Sequence, residues 1–172
     1  MTAETRTLIF TKGSRKTDAV EFRVGDSRVV KLENPKQAIL PHDMIHAAVE
    51  MSFPFGGFIS LVFQGHDPSR TMDVVHGIAP VLATEYPKSS WITESIVESI
   101  QATLWGGSPS FRDFYYLCER ACDARKIAPH EFEEKIVETD FVVCMKLIGS
   151  WMRSWTELPV GESLSIPFRA KN

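Results

Sequence analysis

The sequence predicts an α+β fold, with an N-terminal antiparallel β-meander and a C-terminal strand sharing one sheet that packs against a helical body. Three observations carry this. Period-two alternation is confined to the two ends of the chain, in residues 7–32 and 163–168. Between them, apolar residues recur at three- and four-residue spacing. Strands segregated from helices in this way belong to α+β rather than to parallel α/β architectures.

The elements follow in order. Residues 7–11 form a short, mostly apolar strand, and Lys12-Gly13-Ser14-Arg15-Lys16 is a polar turn. Val20, Phe22 and Val24 alternate with Glu21 and Arg23, as on a half-buried strand. Gly25-Asp26-Ser27 is a tight-turn signal, residues 28–32 return, and Asn34-Pro35 closes the meander. Pro41 suits the first turn of a helix, where a missing N–H is harmless. Leu40, Met44, Ala47 and Met51 then recur at helical spacing, and Phe53-Pro54 stops the helix. Residues 58–63 are a continuous apolar run whose periodicity does not separate strand from helix. Residues 65–70 read as a loop.

From Ser89 onward the pattern is helical. Ile92, Ile96, Val97, Ile100 and Leu104 make one apolar face, ended by Gly106-Gly107. Ser110 with Asp113 resembles a capping box, and Phe111, Phe114, Tyr115, Cys118 and Cys122 share the face that follows. After Pro129 a long helical stretch is expected, with a break near Thr139-Asp140. Val137, Phe141, Cys144, Ile148, Trp151 and Trp155 form its core-facing stripe. Leu164, Ile166 and Phe168 alternate on the last strand, which most simply joins the meander.

Composition bounds the function. A chain of 172 residues, 44% hydrophobic and 24% charged, fits one domain with a substantial core, so residues 1–172 are read as a single domain. The net charge is −3. Residues 1–40 hold eight Lys/Arg against five Asp/Glu, too slight an excess to name a partner, and no basic patch points to nucleic acid. No stretch approaches the ~20 apolar residues of a membrane span. The polar start and the short run Leu8-Ile9-Phe10 do not make a signal peptide. The chain is therefore expected in the cytoplasm, with no membrane and no nucleic acid as partner, and homo-oligomerisation is left open. Cys118, Cys122 and Cys144 fit that compartment as reduced, buried thiols, because they form no even framework and lack zinc-ribbon spacing.

One segment offers chemistry: Leu40-Pro41-His42-Asp43-Met44-Ile45-His46-Ala47-Ala48-Val49-Glu50. On a helix His42 and His46 lie one turn apart on one face, where two imidazoles can hold one divalent metal such as zinc. The second position of the motif carries Asp43, shorter by a methylene than the glutamate of His-Glu-x-x-His metalloproteases. Glu50 shares the polar face but lies eight residues from His42, ~12 Å along the axis, too far to share an ion with it. A third ligand must come from elsewhere, and the candidates are His66, Asp67, His76 and His130. The alternative is a solvated polar face, with Asp43 satisfying the helix start and His46 paired to Glu50.

The order Lys16-x-Asp18, Phe22-Arg23-x-Gly25, Leu40-Pro41-His42-Asp43, His46, Val49-Glu50, Gly57-Phe58 and Gly65 resembles an uncharacterised family of small bacterial proteins. The resemblance spans residues 7–66. It brings no activity with it, but implies that the Pro-His-Asp helix start is a shared feature. Three functional readings follow from the residues. The first is a non-catalytic interaction or regulatory module, favoured because no nucleophile, base and orienting group can be assembled. The second is a metal binder or metal-dependent hydrolase built on His42 and His46. The third is a small-ligand pocket lined by aromatic residues.

Overall fold

In a computed structural model, which describes residues 4–75, 86–107 and 109–171, four strands form one antiparallel sheet. They are β1 (Arg6–Thr11), β2 (Thr17–Val24), β3 (Ser27–Pro35) and β4 (Ser163–Phe168), in the order β3-β2-β1-β4. The helices are α1 (His42–Ser52), α2 (Phe58–Phe63), α3 (Pro68–Val75), α4 (Lys88–Trp105), α5 (Phe111–Ala124) and α6 (Glu138–Glu157). The predicted fold class is thus the observed one, including the C-terminal strand beside the first.

Alternation sorts each strand's side chains. Leu8, Phe10, Val20, Phe22, Ile166 and Phe168 are buried on the face that the helices cover. β2 turns into β3 through Gly25-Asp26, with Val24 opposite Ser27 and Gly25 at a positive φ of 55° that favours glycine. A bulge between Phe22 and Arg23 shifts the register of β3. β4 is an edge strand, so Pro167 opposite Thr7 costs no ladder hydrogen bond. Lys12 ties the end of β1 to the end of α6, its ammonium donating to Trp155 O and Leu158 O at 2.9 Å each.

The aromatic residues between sheet and helices pack on one another. Phe22 lies edge-on to Phe58, and Phe63 stacks on Phe168. On the far side Phe114 stacks on Phe141. Cys118, Cys122 and Cys144 are free thiols in this core, as expected. On the α6 stripe Phe141, Cys144, Ile148 and Trp155 are buried and Trp151 partly so. Val137 is exposed, because it precedes the helix as its N-cap. Among the described residues no helix is long and apolar enough to cross a membrane.

Three local readings change and one left open is resolved. Pro41 is the N-cap of α1 rather than its first helical residue. Residues 58–63 are a helix, and α3 begins at Pro68, inside the segment read as a loop. The stretch after Pro129 is a 3₁₀ turn (Pro129–Glu131) followed by irregular backbone. The break therefore lies just before Glu138, slightly earlier than expected.

Candidate metal centre

The site is built where α1 crosses between its neighbours. Nine of the eleven residues of α1 are buried, including Asp43, His46 and Glu50. The expectation of a solvated polar face is therefore overturned. An apolar stripe faces one side of the helix, and α4 covers the polar side that the sequence pattern assigns to water. Burial of so many polar groups requires that each find a partner.

α4 is suited to a close approach. Ser95, Ser99 and Thr103 donate their hydroxyls to Trp91 O, Ser95 O and Ser99 O, each four residues back along the helix. These small side chains satisfy themselves on the helix, and Ser95 lies against Cys122 of α5. Thr93 donates towards Phe55 O and Gly56 O, at 3.3 and 3.2 Å, and pins the segment between α1 and α2 onto α4. The contact is tight enough to require glycine at position 57, where a Cβ would stand 2.5 Å from Thr93 Cγ2 and 3.0 Å from Glu50 Oε1.

Across this interface His42, His46 and Glu94 converge. Their ligand atoms all lie within 4.8 Å of one another. His42 Nε2 and His46 Nε2 are 3.1 Å apart, and Glu94 Oε2 is 3.4 Å from His46 Nε2. The two rings meet edge to face, with centroids 4.7 Å apart. His46 and Glu94 are each 1% exposed, and His42 is half-buried. On its outer nitrogen His42 is met by Gln101, whose amide nitrogen lies 2.9 Å from Nδ1. Glu94 and Gln101 are seven residues apart, two turns of α4, and so reach α1 from one face.

The remaining acids have other work. Glu50 is 0% exposed and caps α2 from outside it. Ile59 N donates to Oε1 and Ser60 N to Oε2, both at 2.8 Å. Two N–H groups at a helix start, otherwise orphaned, are thereby satisfied. Burial raises the Glu50 carboxyl above its ordinary range, and these hydrogen bonds pull it back only in part. Asp43 does not cap α1. It accepts a hydrogen bond from Asn34 Nδ2 of β3 at 2.5 Å, and burial pushes its carboxyl up to about 6. Burial likewise pushes Glu94 up to about 7, with Glu98 adding to it, Arg125 opposing and Glu50 adding a little. A cation brought beside a carboxyl so placed favours its ionised form.

Of the sequence-predicted residues, His42 and His46 are brought together, and Glu50 is kept off the group, as its distance along α1 requires. Among the described residues, Glu94 completes the group; His66, Asp67 and His130 do not join it. His66 packs beside Tyr86, Asp67 accepts the Arg70 N–H at the start of α3, and His130 is exposed on the 3₁₀ turn. His76 lies outside the described residues. Sequence reasoning missed Glu94, although a signal existed. Residues 88–105 hold a single cation, Lys88 at the helix start, so Glu94 and Glu98 have no basic neighbour one turn away on their own helix. Glu98 is clamped from the C-cap of α5 by both terminal nitrogens of the Arg125 guanidinium, at 2.6 and 3.0 Å. Comparison with protein-family models, curated proteins and solved structures finds no match to this chain.

Proposed function

We propose that this protein binds one divalent transition-metal ion of the zinc class, through His42 Nε2, His46 Nε2 and a carboxylate oxygen of Glu94. The observation that carries this is the convergence of three ligand atoms from two helices on one buried point. Two ligands at ~2 Å from one tetrahedral zinc stand about 3.3 Å from each other. Two of the separations here are 3.1 and 3.4 Å. The remaining one, at most 4.8 Å, closes when the Glu94 carboxyl turns. Two imidazoles and one carboxylate suit zinc, manganese or nickel better than calcium or magnesium, which prefer all-oxygen shells.

The ion joins α1 to α4 at the centre of the helical body. It places a positive charge beside the Glu94 carboxyl, whose ionisation burial disfavours. A second reading, a metal-dependent hydrolase, is favoured by the ligand count. Three protein ligands leave a fourth position, the pattern of catalytic rather than structural zinc, and a water held there is acidified. The reading as a non-catalytic interaction or regulatory module rests on the lack of an assembled nucleophile, base and orienting group, and a buried metal-binding group is compatible with it.

The test uses protein purified without a histidine tag. Elemental analysis is expected to find one zinc, manganese or nickel per chain. After chelation, cobalt should restore one equivalent with the visible absorption of a low-coordinate site. His46→Ala and Glu94→Ala should lose it. Protein that is folded, metal-free and indifferent to cobalt would overturn the reading.

A further inference from the structure

We propose that Gln101 is the positioning residue of this centre: its side-chain amide fixes the tautomer of His42 and so sets how tightly the group holds a metal. The inference rests on the metal-binding reading above. It starts from two distances on one ring. Gln101 Nε2 lies 2.9 Å from His42 Nδ1, and His42 Nε2 lies 3.1 Å from His46 Nε2.

A neutral imidazole carries one N–H, on one nitrogen or the other. Metal binding needs both Nε2 atoms bare. For His42 this moves the proton to Nδ1, where it must be donated to an acceptor. The Gln101 amide provides one when Oε1 faces the ring. With the amide nitrogen facing the ring, as it does in this structure, Nδ1 is the acceptor and the proton sits on Nε2. It then points at His46 across 3.1 Å, in the space the ion takes. A half-turn of one amide therefore separates a metal-ready centre from a blocked one. Gln101 stands two turns from Glu94 on α4 and lines a small recess with Leu40, Ile45 and Leu104. Outer hydrogen-bond partners of ligating histidines commonly contribute about 10–100-fold to metal affinity.

The experiment compares full-length wild type, Gln101→Met and Gln101→Glu by zinc competition against a chromophoric chelator. Nitrogen NMR of the zinc-loaded wild type reports the His42 tautomer. Methionine keeps the bulk but offers no useful acceptor, and the expected effect is about 10–100-fold weaker zinc binding. Glutamate accepts and never donates from its ionised form, so Gln101→Glu should bind at least as tightly as wild type. The His42 ring should show a protonated Nδ1 and a metal-bound Nε2. Gln101→Met binding within about two-fold of wild type, or His42 metallated through Nδ1, would overturn the role of Gln101 while leaving the metal centre standing. Wild-type protein that binds no zinc overturns the centre itself. The tautomer measurement needs only wild type, so metallation through Nδ1 would overturn the proposal even if a variant does not fold.

Discussion

Glu50 offers the most direct test of how the buried polar cluster is held. Its two carboxylate oxygens are the acceptors for Ile59 N and Ser60 N, each at 2.8 Å, and the side chain is fully buried. Glu50→Ala removes both acceptors and leaves two N–H groups sealed from water. Each such group costs about 1–3 kcal/mol, so the loss should be about 4 kcal/mol. Glu50→Gln keeps one oxygen and turns an amide nitrogen towards the other N–H, so one donor is orphaned and the loss should be about half as large. Urea unfolding at pH 7, followed by far-ultraviolet circular dichroism, measures both. Zinc or cobalt stoichiometry should stay at that of the wild type in Glu50→Gln, because Glu50 caps α2 and is not a ligand. An alanine variant that loses less than about 1 kcal/mol would refute the cap, since α2 would then start without it.

Three further outcomes are expected. Asp43 has its folded pKa raised to about 6 from 3.8, so its contribution to stability is fully present below about pH 4 and is lost as pH rises through 6. Relative to Asp43→Asn, metal-free wild type should lose up to about 3 kcal/mol between pH 4 and pH 7.5 in urea titrations, and a flat difference would contradict this. Ile148→Ala should cost about 2–5 kcal/mol, because Ile148 is 1% exposed within the core beneath α6, and a loss near zero would mean the stripe is misplaced. Thiol labelling of native protein should be slow for all three cysteines and complete only in denaturant. Cys144 should be among the least reactive, its thiol pushed up to about 12 by burial, and rapid labelling of Cys144 would count against its place in the core.

Much of the frame was legible because it rests on short-range periodicity. Phe22 and Ile166 announce their strands by alternation, and Ser110 caps α5 through Asp113 N as its spacing suggests. The His42/His46 pair was legible for the same reason, since one turn of helix fixes it. Glu94 was not, because what makes it a partner is the docking of α4 on α1, a contact between residues some fifty positions apart. The helical state of residues 58–63 was hidden likewise. Its first free N–H groups are satisfied by a carboxylate from another helix, which no local window contains. The polar face of α1 was misread as solvated because a helical pattern shows which residues are alike, but not how many sides of the helix are covered.

The sheet's order has a consequence for how the chain comes to fold. β1 is central only because β4 lies beside it, and the hydroxyls of Thr11 and Ser163 meet across 152 residues of chain. During synthesis the meander emerges first, and until residues 163–168 appear β1 is a bare edge carrying Leu8 and Phe10 on one side. Such an edge is a template for pairing with other chains. Closing so long a loop costs only about 2–3 kcal/mol more than closing a hairpin, since the penalty grows with the logarithm of length. The late strand is thus within thermodynamic reach, and the difficulty is one of timing. A nascent chain stalled before Ser163 carries an unfinished sheet, and the last strand to be made is the one that shields the first.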